Sequence, residues 1–158
     1  MSLNLILDNG AVWDRRSIDF YSENRSAYFD EEDIRDLNEF EGTPRISSGC
    51  RYYRVEHNNE VVGELIVTPD QDDKNAEEIT IAIYYPSHGY ATEVIKLFLE
   101  EFAERSKIFA RVKSRNPNLS KMRAILNSCG FEAQKRLIDE IPNLPSDFVD
   151  DYLFKYQD

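Results

Sequence analysis

The chain has 158 residues, 41% of them hydrophobic, and 19 Lys and Arg stand against 30 Asp and Glu for a net charge of −11. One domain, residues 1–158, is expected, with nine Phe, nine Tyr and one Trp as ample apolar mass and no need of disulfide or metal. The charge argues against nucleic acid and anionic membranes as partners, no apolar run spans a bilayer, and nothing at the start resembles a signal peptide, so a cytoplasmic location with free Cys50 and Cys129 is expected.

Two short helices are predicted first, Ser17 to Tyr28 and Asp30 to Phe40. The second has Asp30 as a plausible N-cap and Ile34, Leu37 and Phe40 at helical spacing. The stretch is strongly acidic, with nine carboxylates from Asp19 to Glu41 against Arg25 and Arg35. Arg51 to Glu56 and Glu60 to Thr68 then form β-rich segments joined by His57-Asn58-Asn59, a hairpin signal. After a polar turn over Asp70 to Asn75, Glu78 to Tyr84 alternates, with Ile79, Ile81 and Ile83 on one face and Glu78, Thr80, Ala82 and Tyr84 on the other.

Pro86-Ser87-His88-Gly89 ends that strand and opens the strongest helix of the chain. Its apolar stripe is Ala91, Val94, Ile95, Phe98, Leu99 and Phe102. Lys107 to Lys113 is a strand, and Asn116-Pro117 offers an N-cap and first-turn proline to a helix with Leu119, Met122, Ile125, Leu126 and Cys129 on its apolar face and Gly130 as C-cap. Phe131 to Leu137 and Tyr152 to Tyr156 are expected to close the sheet. Arg105, Lys107, Arg111, Lys113, Arg115, Lys121 and Arg123 form a basic stretch that suits one small polyanion or a solvated face. The element order predicts an α/β (α+β) fold on a mixed, mostly antiparallel sheet.

The strand–turn–helix from Ile81 to Val94 carries the functional signal. A helix N-terminus leaves N–H groups unpaired and concentrates positive partial charge, and Gly89 before it lets a pyrophosphate approach the backbone. On these residues the chain resembles the GNAT superfamily of acyl-CoA-dependent N-acyltransferases. Gly89 and Ala91 fit the family's Q/R-x-x-G-x-G/A phosphate loop, and Gly-Tyr-Ala-Thr-Glu is frequent in the branch acting on protein N-termini. The run Met122 to Phe131 resembles the family's last helix ending in Gly-Phe, and the hairpin Val61 to Ile66 fits in kind and order.

The resemblance implies acetyl-CoA as acyl donor and a GNAT-like mixed sheet flanked by helices. It implies cofactor contacts from His88, Gly89, Tyr90, Ala91 and Thr92, and from Asn118 at the last helix. Two departures stand out. Pro86 replaces the usual Gln or Arg, and Leu126 stands where several branches have a Tyr that protonates the leaving thiolate, with Met122 at the position where the branch lacking that Tyr often has a Ser.

Acyl transfer needs a neutral amine, a polarised thioester carbonyl and a thiolate able to leave. A lysine-like amine with pKa ~10.4 costs about 4–5 kcal/mol to present neutral at pH 7, so a carboxylate or a water held by one is expected as base. Glu64 is the first candidate and Glu78 the second, each also readable as a solvated strand residue. The carbonyl would be polarised by a backbone N–H at a bulge near Ile83 or Tyr84, with Tyr84 and Tyr85 read either as flanking the pantetheine arm or as core and rim aromatics.

The leading expectation is an N-acetyltransferase acting by direct attack of a primary amine of a small molecule or peptide, with the acidic first half favouring a cationic acceptor. A degenerate GNAT module that binds CoA or a protein partner without catalysis is the alternative, and an acidic DNA mimic the third. A homodimer stays open.

Overall fold

The structure is a computed structural model describing residues 2–29, 33–71, 73–86, 88–101, 107–113, 116–133 and 149–155. Asp30, Ser87, Phe102, Arg105, Arg115, the stretch 134–148 and Tyr156 therefore lie outside the described residues. The elements run β1 (Leu3–Leu7), α1 (Arg15–Glu23), α2 (Arg25–Tyr28), a 3-10 turn (Leu37–Phe40), β2 (Arg51–His57), β3 (Glu60–Pro69), β4 (Ala76–Ile83), α3 (Tyr90–Glu101), β5 (Lys107–Lys113), α4 (Leu119–Ser128), β6 (Glu132–Ala133) and β7 (Val149–Lys155). All seven strands join one sheet in the order β1-β2-β3-β4-β5-β7-β6. Every pairing is antiparallel except β4 with β5. The expected mixed, mostly antiparallel sheet is present. No helix among the described residues is long and apolar enough to cross a membrane.

Alternation along β4 divides the interior into two layers. Ile79, with Ile81 and Ile83 packed beside it, joins Val94, Ile95 and Phe98 of α3 and Leu126 of α4. Ala82 faces the other way, into a cluster of Ile18, Tyr21 and Leu37 edged by Trp13, Phe20, Tyr28 and Phe40. The sheet is thus covered by α3 and α4 on one face and by the N-terminal segment on the other. A strand buried on both faces shows as apolar at nearly every position, as β4 does from Ile79 to Ile83.

Local chemistry explains where the elements begin and end. Asp14 caps α1, which begins two residues before the predicted start, accepting from the Ser17 N–H at 2.9 Å while Ser17 Oγ accepts from the Asp14 N–H at 3.1 Å. The hairpin turns through Asn58 and Asn59 at φ 52° and 65°, the backbone a two-residue primed turn requires. α4 closes with the N–H of Gly130 on the Asn127 carbonyl and that of Phe131 on the Leu126 carbonyl, a Schellman motif.

Two expectations are corrected. The helix predicted to end at Phe40 is reduced to the 3-10 turn Leu37–Phe40, with Ile34 90% exposed. The reason is local: Asp33 accepts from the Arg35 N–H at 3.2 Å and Asp36 from the Asn38 N–H at 3.0 Å, and such aspartate turns compete with helical bonding. α4 begins at Leu119 rather than after Asn116, because Asn116 Oδ1 takes the Asn118 N–H at 2.8 Å and places Asn118 at the N-cap. β1, which pairs Leu3–Leu7 with the far half of β2, is an addition to the predicted elements.

Gly63 marks the tightest strand contact. It sits opposite Ile83, and a Cβ there would lie 2.4 Å from the Ala82 carbonyl oxygen and 2.9 Å from Ile83 Cδ1. Both neighbours belong to β4, so the backbone itself must move. Gly63→Ala is expected to lower stability by about 1–3 kcal/mol in urea denaturation; an unchanged midpoint would contradict this packing.

Candidate active site

β4 and β5 pair only from Ala76 with Lys107 to Ile79 with Ala110. β4 stays paired with β3 as far as Gly63 with Ile83, so past Ile79 it has lost its β5 neighbour while keeping the other. The two parallel strands split there. A cleft of about 510 Å³ runs from the start of α3 along this split, and an inner cavity of about 270 Å³ lies at its apex. Ala27, Tyr28, Ile81, Asn116 and Met122 line both, so the two are continuous between α2 and α4.

The backbone of β4 aims specific groups into the split. The Tyr84 N–H donates to the Val62 carbonyl at 2.9 Å. Backbone groups of an antiparallel pair alternate between its two sides, so those of Ile83 and Ile81 point away from β3. Of the two positions expected to offer a backbone N–H, Tyr84 has its own already engaged, and Ile83 has its N–H on the open side. The regular register also removes the expected bulge from β4. The register shift lies instead between Val55 and Glu56 of β2, and the split arises because β5 diverges.

At the outer end, Gly89 adopts φ 73°, a left-handed conformation that glycine reaches without a Cβ clash. The first α3 bond runs from the Glu93 N–H to the Gly89 carbonyl at 3.3 Å. The N–H groups of Tyr90, Ala91 and Thr92 thus precede the helical ladder, and all three residues line the cleft. His88 stacks on Tyr90 with ring centroids 5.2 Å apart, and His57 approaches Tyr90 at 5.6 Å. Asn118, at the N-cap of α4 with no side-chain capping bond, lines the cleft across from this turn, as does Lys121. Ile83, Tyr84, His88, Gly89, Tyr90, Ala91, Thr92 and Asn118, drawn from three separate elements, therefore share one cleft.

The two candidate bases have separate fates. Glu64 is fully buried and lines neither cavity. Its Oε1 accepts from Arg45 Nη1 at 2.6 Å, Tyr84 Oη at 2.7 Å and Tyr52 Oη at 3.1 Å, and its Oε2 accepts from Tyr21 Oη at 2.8 Å and from Arg45 Nη2. Five donors on a group with about four lone-pair sites leave no room for an incoming ammonium. The expectation that Glu64 takes the proton does not fit this geometry. Arg45 is itself covered by Trp13, Tyr21 and Tyr52, whose ring centroids lie 4.2, 5.2 and 5.3 Å from its Cζ. Burial first and the negative Glu64 second push Tyr84 and Tyr52 well above the ordinary phenol range, so both remain hydrogen-bond donors. Glu78, by contrast, lines the inner cavity, with Oε1 3.4 Å from Arg111 Nη1.

Sequence reasoning missed Arg45, whose approach to Glu64 follows from a loop before β2 that carries no local signal. It also missed Tyr28, whose hydroxyl reaches the Ile81 carbonyl at 2.7 Å across 53 positions of chain. Removing one partner of a buried pair strands the other. Arg45→Met is expected to cost about 3–5 kcal/mol of stability, and adding Glu64→Leu to leave the protein still well below wild type, because the hydroxyls of Tyr21, Tyr52 and Tyr84 then lose their acceptor. Chemical denaturation of the two variants checks both halves.

No family model and no curated protein sequence matches the chain. Solved structures do. An acetyltransferase from Thermus thermophilus superposes with a TM-score of 0.64 at 14% identity, covering 99% of this chain and 98% of that one. Spermidine N-acetyltransferase from Vibrio cholerae, in complex with CoA and spermine, gives 0.64 at 20% identity over 97% and 95%. Ribosomal-protein-alanine N-acetyltransferase from Brucella melitensis gives 0.53 at 17% over 68% and 70%, so the neighbours do not single out the branch acting on protein N-termini. The chain thus shares its fold with these solved acetyltransferases, over 97–99% of its length in the first two.

Proposed function

We propose that the protein is an acyl-CoA-dependent N-acetyltransferase that transfers an acetyl group from acetyl-CoA to a primary amine by direct attack. The observation that carries this reading is the continuous cleft from the α3 N-terminus into the split, lined by an exposed strand edge. The N–H groups of Tyr90, Ala91 and Thr92 receive the diphosphate, where helix partial charge favours an anion. Lys121 adds a cation on the facing helix, in place of the side-chain contact that Pro86 lacks. Asn118 and the edge of β4 at Ile83 and Ile81 hold the amide-bearing arm, and the Ile83 N–H polarises the thioester carbonyl.

Glu78 is the base, acting through water in the inner cavity. The neutral amine attacks the carbonyl in the cleft beside Ile83, and the proton it loses passes through that water toward Glu78. The acceptor is a cationic amine. In support stand the carboxylates between Asp19 and Glu41, Glu23 at the wall of the cleft, and the spermine held by the Vibrio cholerae relative.

A second reading, a module that binds CoA without catalysis, draws on α4: Leu126 is fully buried and Met122 faces the cleft, so this helix offers no hydroxyl at either position.

Thermal unfolding with acetyl-CoA, CoA and ATP tests the donor site. Acetyl-CoA at about 100 times Kd adds roughly 2.7 kcal/mol, a Tm rise on the order of 5–10 °C for a chain of this size. Gly89→Glu is expected to abolish the shift while its own melt stays cooperative; no shift in the wild-type protein would overturn the donor assignment. With a panel of polyamines, basic peptides and neutral amines, Glu78→Gln is expected to lower kcat about 100-fold, and full activity in that variant would remove Glu78 as base.

A further inference from the structure

Acyl transfer from a thioester ends with a thiolate leaving, and α4 brings that sulfur no proton or hydrogen bond from Leu126 or Met122. The tyrosines around the split differ in what their hydroxyls hold. Those of Tyr21, Tyr52 and Tyr84 all donate to Glu64. Tyr28 donates instead to the Ile81 carbonyl at 2.7 Å, on the edge of β4 that β5 has left. Both Tyr28 and Ile81 line the cleft and the inner cavity. The hydroxyl therefore stands where the two meet, on the path of an arm that starts at the α3 N-terminus and ends at the apex.

Resting on the acyl-CoA reading above, we propose that Tyr28 is a catalytic residue whose hydroxyl turns from the Ile81 carbonyl to the CoA sulfur and stabilises the departing thiolate. The amine lone pair forms the C–N bond. The C–S bond then breaks, its electron pair stays on sulfur, and the carbonyl re-forms. The proton lost by nitrogen passes through solvent to sulfur, so CoA leaves as the thiol and the amide is neutral. Tyr28 gives a hydrogen bond and keeps its own proton, because burial and then the negative Glu64 hold its phenol well above the ordinary range. Turning needs only rotation about the C–O bond. The ring itself is held edge-on by Tyr21 at 4.9 Å and tilted against Phe20 at 5.9 Å. The role thus passes from the last helix to α2, on the opposite face of the split.

The test needs no acceptor. CoA labelled with 13C at the carbon bearing sulfur is bound to the full chain, and its shift is followed against pH in the wild-type protein and in Tyr28→Phe. Besides Tyr28, the charged and titratable side chains lining the split are Glu78 and Arg111 in the inner cavity and Glu23, Tyr84, Tyr85, His88, Tyr90 and Lys121 along the cleft, and none of these changes in the variant. The thiol bound to wild type is expected to titrate on the order of one pH unit below free CoA, a tenfold gain for the thiolate. Tyr28→Phe is expected to return it to the free value while binding desulfo-CoA as wild type does. A bound thiol that titrates like free CoA in the wild-type protein, or equally in both proteins, overturns the proposal. Failure of the wild-type protein to bind CoA at all overturns the acyl-CoA reading with it.

Discussion

A carboxylate with no access to water sits in the middle of β3, and the N-terminal third of the chain is arranged around it. Glu64 would be prohibitively costly to bury alone. It is tolerable because Arg45 meets it with two guanidinium nitrogens and Tyr21, Tyr52 and Tyr84 donate three more hydrogen bonds. Each donor comes from a different element: α1, the loop before β2, β2 itself, and the end of β4. Satisfying one charge therefore pins the N-terminal segment to the sheet. Trp13 stacks over the far side of Arg45 and closes the site from solvent.

That arrangement shapes the cleft without entering it. Tyr84, tied to Glu64, ends β4 at the outer mouth, and Tyr21 packs against Tyr28 at the inner one. α2 is thereby held over one side of the split while α4 covers the other. The buried ion pair thus positions the walls, and the open edge of β4 supplies the polar groups between them. A division of this kind keeps the charged cluster dry and leaves Glu78 as the carboxylate in the cavity.

The split itself follows from the sheet's one parallel pair. Antiparallel neighbours hold β4 to β3 throughout, whereas β5 arrives after α3 and stays in register for only four pairs. Past that point the backbone groups of Ile81 and Ile83 face a channel rather than a strand. Polar groups left this way need partners, and the Tyr28 hydroxyl already serves the Ile81 carbonyl.

Much of this was legible in the sequence because it rests on local rules. Alternation placed Ile79, Ile81 and Ile83 on one face of β4, helical spacing marked α3 and α4, and Gly89 marked the turn from which α3 starts. Short-range competition blurred the rest: Asp33 and Asp36 turned an apparent helix into coil, and β1 was too short to stand out. What the tertiary structure alone decided is where each polar group goes. A strand glutamate such as Glu64 reads the same whether solvated, catalytic or buried, since burial depends on donors 12 to 43 residues away. The same holds for Tyr28, whose meaning comes from a carbonyl 53 residues along the chain. Periodicity and turn chemistry act over a few residues and survive in the sequence. Charge satisfaction acts through space and exists only once the chain has folded.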